Sequence, residues 1–149
     1  MKINLRDLNA IHPAPLSDVV LPNLSDIENE SGWDIDRDED HFTYETVPYE
    51  LIVGHDQRMI SAVSWGDLLN GRHTSMGYYL GLLEDRPNFF TDQFWPKDGV
   101  SLAKLEGKYY LVGGKHRVTV NYFLRHFNPM TFNHSIVIPN VKVQHYTLK

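Results

Sequence analysis

The stretch KYYLVGGKHRVTVNYFLRHF, Lys108 to Phe127, decides how this chain is read. Tyr109 to Val112 is a short run of aromatic and branched residues, the composition of a strand, and Gly113-Gly114 ends it. Beyond the glycines the apolar period changes. Val120, Phe123, Leu124 and Phe127 fall at i, i+3, i+4 and i+7, which predicts a helix from Lys115 or His116 to Phe127 with that stripe buried. Arg117, Asn121 and Arg125 recur every four residues on another face, and Asn128-Pro129 stops the helix.

Working outward, VSLAKL (Val100 to Leu105) and YYLV flank the turn Glu106-Gly107-Lys108, the pattern of a hairpin. HSIVIPNVKVQHY, from His134, supplies a last strand with a bend or an edge at Pro139. Upstream, SWGDLLNG reads as a short helix: Ser64 and Asp67 fit a capping box and Gly71 fits the stop. A second helix starts near Ser75, with Met76, Tyr79, Leu80 and Leu83 on one face and Pro87 just beyond its end. FTYETVPYELIVGH reads as extended structure ending at Gly54-His55, and residues 1–24, broken by Pro13, Pro15 and Pro22, read as loop. The expectation is one α+β domain over residues 1–149, a small mixed sheet with helices. Residues 1–45 are its irregular, acidic part and 100–143 its β-β-α-β core.

Composition bounds the functions. There is no cysteine, which excludes disulfides, thiolate metal sites and cysteine nucleophiles. No run approaches the 18 or so apolar residues of a membrane helix, and MKINLRDLNA lacks a secretory apolar region, so a cytoplasmic location is expected. The net charge of −5 is unevenly spread. Ser25 to Asp40 holds eight acids against one base, Arg37, whereas Gly107 to Lys149 holds six bases and no acid. Such polarity fits an anionic partner for the basic part, or attraction between the two parts across one fold.

At the Gly113-Gly114 junction the chemistry of anion binding is concentrated. Glycines let backbone N–H groups approach a bound group, and a helix N-terminus adds partial positive charge. Lys115 supplies a point charge, Arg117 a fork that matches phosphate oxygens, and His116 a hydrogen bond or a proton. The spacing is neither that of a Walker loop nor that of a dinucleotide fingerprint. The alternative is a glycine turn carrying three solvated side chains.

LEGKYYLVGGKHRVTVNYFLRHF resembles the signature of the ParB/sulfiredoxin superfamily, a hairpin followed by a G-x-H-R core, a helix and a strand. Glu106 to Val112 match the hairpin, and Gly114, His116 and Arg117 match the core, over about a third of the chain. The resemblance implies that Gly113, Gly114, Lys115, His116 and Arg117 hold the phosphates of a nucleotide, ATP or CTP with magnesium, or of a nucleic acid. It also implies NTP hydrolysis, phosphotransfer or DNA processing in a mobile-element or phage context, with His116 as the catalytic candidate. Sulfiredoxins carry a cysteine where Lys115 stands, so sulfinic-acid reduction is excluded. Many relatives have Asp where Gly113 stands, and nothing here supplies the helix-turn-helix that partition proteins add for DNA binding. The accompanying base or metal carboxylate has only guesses: Asp67, Glu84 and Asp85.

Other motifs compete. Asp34, Asp36, Asp38 and Glu45 fall at positions 1, 3, 5 and 12 of a calcium loop, but Glu39 stands where the turn needs glycine. No metal is assigned. The eight histidines form no zinc motif. The second reading is a non-catalytic inhibitor or immunity-type protein. It presents Trp33, Asp34, Asp36, Asp38 and Asp40, within a surface loop of residues 25–40, to a basic protein partner.

Overall fold

The structure, a computed structural model, describes residues 4–57, 60–71, 74–91 and 99–149. Its α-helices are α1 (Leu5–Ile11), α2 (Leu24–Ser31), α3 (Trp65–Asn70), α4 (Thr74–Asp85) and α5 (Lys115–Phe127). The strands are β1 (Val20–Leu21), β2 (Ile35–Asp36), β3 (Phe42–Pro48), β4 (Ile52–His55), β5 (Val63–Ser64), β6 (Ser101–Leu105), β7 (Lys108–Gly113), β8 (Val137–His145) and β9 (Thr147–Leu148). Five of them form one mixed sheet in the order β3-β8-β6-β7-β4. The β3/β8 and β6/β7 pairs are antiparallel, and the β8/β6 and β7/β4 pairs are parallel. Two short ladders, β1/β5 and β2/β9, flank it. The fold is α+β.

Local chemistry explains most boundaries. The β6/β7 hairpin turns on Glu106 and Gly107, both with positive φ (52° and 78°), the geometry of a two-residue turn whose twist suits the strands. In α3, Ser64 and Asp67 form the expected capping box. Helix α4 carries Met76 and Leu83 into the core and ends before Pro87. Between β3 and β4 the expected extended run is interrupted by a 3-10 turn at Tyr49–Leu51. Near Pro139, the β3/β8 register shifts between Glu45 and Val47 and Asn140 takes φ 45°, so the bend lies at a bulge. The pairing of β8 with β6 begins only at Lys142, so Pro139 lies where β8 is laddered to β3 alone, as a residue without a backbone N–H tolerates.

The N-terminal part departs from the expected loop. Residues 5–11 form α1, whose first turn is capped by the Asn4 side chain accepting from Asp7 N–H. Asn23 caps α2 in the same way, and Gly32 (φ 72°) closes it. The acidic segment is therefore half helix, followed by β2, rather than one surface loop. Pro13, Pro15 and Pro22 punctuate these short elements instead of abolishing them.

Successive side chains on a strand face opposite sides, and here both sides are covered. On one, Val47, Ile52, Leu102, Leu111, Ile138 and Val143 meet Val120, Phe123 and Leu124 of α5, with Trp65, Leu69, Met76 and Leu83 behind. On the other, Ala103, Leu105, Tyr110 and Tyr146 meet Leu24 of α2 and Ile35 of β2. Phe127, the last residue of α5, is only half-buried. Every residue from Val118 to Arg125 is buried, including Asn121 and Arg125 on the face that carries the polar repeat.

Candidate functional site

Gly113 and Gly114 sit where β7 hands over to α5, beside the start of β6. Gly114 takes φ 78° and its carbonyl accepts the first helical bond, from Val118 N–H, at 2.9 Å. A Cβ on Gly113 would lie 2.8 Å from Gly99 O and 3.1 Å from Ser101 Oγ. One on Gly114 would lie 2.8 Å from Val100 Cγ2 and 3.1 Å from the Gly99 carbonyl. The absence of side chains at both positions is thus required by strand-to-turn packing, whatever else the turn does.

The three polar residues of the first turn leave in different directions. Lys115 lines a narrow apolar crevice with Leu21, His55, Leu68 and Leu111. The His116 ring faces that of Tyr79 on α4 nearly parallel, at 6.3 Å between centroids and 18°. Arg117 lies over Gly99, where an added Cβ would come within 2.6 Å of its guanidinium. The Nε2 of His116 and the Nε of Arg117 are both enclosed by protein. What the fold brings together is the backbone turn and the base of each side chain, with no acid in the first turn of α5. Gly99, in the left-handed region with φ 78°, and Tyr79 belong to this site and were not singled out from sequence. Asp98-Gly99 carried a turn signal, whereas Tyr79 was absorbed into the apolar stripe of α4.

The carboxylates guessed as partners are placed elsewhere. Asp67 is committed to the α3 capping box, where its carboxylate accepts from Ser64 N–H at 3.3 Å. Glu84 lines a cleft with Asn4, Arg6 and Gly81, and Asp85 is exposed at the end of α4. Nor are the calcium-loop residues gathered. Asp36 pairs with Thr147 across β2/β9, while Glu45 accepts the Tyr109 and Thr43 hydroxyls, each at 2.8 Å. Burial raises the Glu45 pKa, but those two bonds with Lys104 and His145 nearby outweigh it, and the net shift is downward. Among the described residues no three or more His, Asp or Glu side chains are grouped to hold a metal ion.

Of the acidic segment, one part is tied to the fold and one part is not. Arg37 grips Asp56 with Nε–Oδ2 at 2.9 Å and its second amino nitrogen at 3.2 Å from Oδ1, and reaches Glu28 at 3.2 Å. Tyr146 O–H donates to the same Asp56, and the Asp56 and Glu28 carboxylates raise the Arg37 pKa against the effect of burial. Lys149 N–H donates to Asp34 O at 2.8 Å, and its ammonium lies 3.9 Å from the Asp34 carboxylate. Acidic and basic parts therefore do meet within one fold. Trp33, Asp34, Asp36, Asp38, Glu39 and Asp40 nonetheless remain exposed. Neutralising Asp34, Asp36, Asp38 and Asp40 together is expected to change unfolding free energy by less than about 1 kcal/mol, read from urea midpoints. A larger loss that calcium prevents would assign them to a metal loop.

Histidine placement is mostly structural. His55 is buried; its Nδ1 accepts from Gln57 N–H at 3.2 Å and its Nε2 lies 2.9 Å from Ser61 O. His41 stacks on His145 at 5.1 Å. Trp65 is in the core, and His73 and Trp95 lie outside the described residues.

Fold and site together define a small α+β protein with a basic strand-to-helix junction. No protein-family model matches the chain, and no curated protein or solved structure matches it significantly. No helix among the described residues is long and apolar enough to cross a membrane.

Proposed function

We propose that the Gly113–Arg117 turn of a ParB/sulfiredoxin-like fold binds the phosphate of a nucleotide or nucleic acid. One observation carries this reading: α5, thirteen residues long, begins with Lys115, His116 and Arg117 and has no acid in its first turn. Cations at the positive end of a helix dipole are disfavoured, by about 0.3–1 kcal/mol each, and an anion seated there reverses the sign of that interaction. A protein that keeps two fixed cations at this end gains from an anionic ligand. ATP or CTP would bring magnesium on its own phosphates, since magnesium needs only one or two protein carboxylates. Lys115 and Arg117 would neutralise phosphate charge, and His116 would donate a hydrogen bond or a proton. The reaction class that follows is NTP hydrolysis, phosphotransfer or DNA processing, as in a mobile-element or phage protein.

The test is a thermal-shift series with ATP, CTP and single-stranded DNA, with and without magnesium. A ligand at about 100 times its dissociation constant stabilises by roughly 2.7 kcal/mol. Arg117→Ala is expected to weaken binding by about 1.5–3 kcal/mol while the chain stays folded, and Arg117→Lys to restore only part of it because the fork is lost. Unchanged binding in the Lys115→Ala/Arg117→Ala double variant would make the motif structural.

A second reading, a non-catalytic inhibitor or immunity-type protein, is favoured by the exposure of Trp33, Asp34, Asp36, Asp38 and Asp40 side by side in sequence. Its partner is a basic protein surface.

A further inference from the structure

The five-stranded sheet has two edges, and they are finished differently. The β4 edge is continued by the chain itself: His55 N–H donates to Pro22 O at 2.9 Å, and Asn23 bridges His55 in parallel. At the other edge β3 pairs with β8 on one side and, among the described residues, with no strand on the other. Natural sheets blunt such edges with lysine, proline or a bulge. In β3 those devices come only at its end, the register shift between Glu45 and Val47 and then Pro48. Phe42 to Tyr44 is left bare.

The ladder shows which backbone groups face outward. His145 N–H donates to His41 O at 2.8 Å in the same register as the Phe42–Gln144 pair. His41/His145 is therefore a hydrogen-bonded pair, and alternation makes Thr43/Val143 and Glu45/Val141 the next two. The N–H and C=O of Phe42 and Tyr44 consequently point away from β8. Their rings pack edge to face at 5.9 Å on one side of the strand, 41% and 56% exposed, with the Lys142 ammonium 4.4 Å from the Phe42 ring. Immediately before them stand the exposed carboxylates of Asp36, Asp38, Glu39 and Asp40.

We infer that β3 is the docking edge for an extended segment of a basic partner protein, which adds a strand beside Phe42–Glu45. Main-chain bonds to Phe42 and Tyr44 supply affinity, alternate apolar side chains cover the two rings, and Lys or Arg at the end of the incoming strand meets Asp38–Asp40. A second copy of this chain, at net charge −5, would instead bring the same acids to the edge. The inference rests on the acidic-segment reading and is independent of the phosphate turn.

The experiment is amide exchange by NMR on the full chain, titrated with a synthetic peptide of about ten alternating Lys and Val residues, and with its Glu-Val counterpart. The Lys-Val peptide is expected to slow exchange at Phe42 and Tyr44 more than tenfold. Tyr44→Pro, which removes an outward N–H that β8 does not use, should abolish that protection in a chain still folded by circular dichroism. Replacing Asp38, Glu39 and Asp40 by their amides should weaken binding by about tenfold at low salt. The Lys115→Ala/Arg117→Ala variant should bind the peptide as the wild type does, which separates this edge from the phosphate turn. Shifts at Asp38–Asp40 without protection at Phe42 and Tyr44 would overturn the edge pairing while leaving the acidic reading standing. Equal protection by the Glu-Val peptide, no response at millimolar peptide, or protection that grows with protein concentration alone would each overturn the inference.

Discussion

Arg125→Ala is expected to lower unfolding free energy by about 3–5 kcal/mol, the scale for emptying a large buried side-chain site and leaving its hydrogen-bond acceptors without their donor. The guanidinium is fully buried. Its Nε donates to Asn121 Oδ1 at 3.1 Å, a terminal nitrogen donates to Ser135 O at 3.1 Å, and the group lies 4.5 Å from the Phe132 ring centre. Asn121 passes the chain on, donating through Nδ2 to Tyr49 O–H at 2.7 Å, and Tyr49 donates to Val118 O at 2.6 Å. Burial pushes the Tyr49 phenol pKa far up, against the Asn121 bond and the Arg125 charge, which fits a hydroxyl that stays protonated as a donor. Removing Arg125 leaves Asn121 Oδ1 and Ser135 O without this donor and opens a large cavity, so transfer, cavity and hydrogen-bond losses add. Urea unfolding with an unchanged slope and a lower midpoint is the expected signature. Arg125→Lys keeps the charge but not the fork, and should recover only a minor part. A loss below about 1 kcal/mol for the alanine variant would show that the network does not hold α5 to the start of β8.

Leu124→Ala comes next, at about 2–5 kcal/mol. Leu124 is 3% exposed within the core between α5 and the sheet. Its neighbours come from several elements, so collapse around the missing methyl groups is limited. For a chain of this size, each kcal/mol corresponds to a shift of roughly 2–4 °C in melting temperature, which puts the effect within easy calorimetric reach. Met at this position conserves volume and should cost less than about 1.5 kcal/mol. If alanine and methionine behave alike, α5 does not dock through this stripe.

Much of the fold was legible because its signals are local. The hairpin rests on Glu106-Gly107, α3 on Ser64 and Asp67, and α5 on the change of period after Gly114. The N-terminal elements were missed because α1 and α2 are short and their caps are single asparagines. Asn4 and Asn23 read in sequence as ordinary loop residues beside three prolines. The capped turns persist because Leu5 and Leu24 are pulled into the two cores, which no local pattern announces.

The candidate site shows the same division. Local sequence is enough to make Gly113 to Arg117 a strand-to-helix turn with three basic side chains at a helix start, since glycine conformation and apolar period act within a few residues. It also determined that acids and bases would be segregated. What those side chains meet came from long-range packing: Tyr79 beside His116, Gly99 beneath Arg117, and the Gly99–Ser101 segment closing on both glycines. The tertiary structure likewise decided the fate of the polar repeat, burying Asn121 and Arg125 while leaving Arg117 half-buried. Period fixes which residues share a face of a helix. How many faces are covered depends on the neighbours that a whole sheet and its flanking segments bring, and those contacts join residues tens of positions apart.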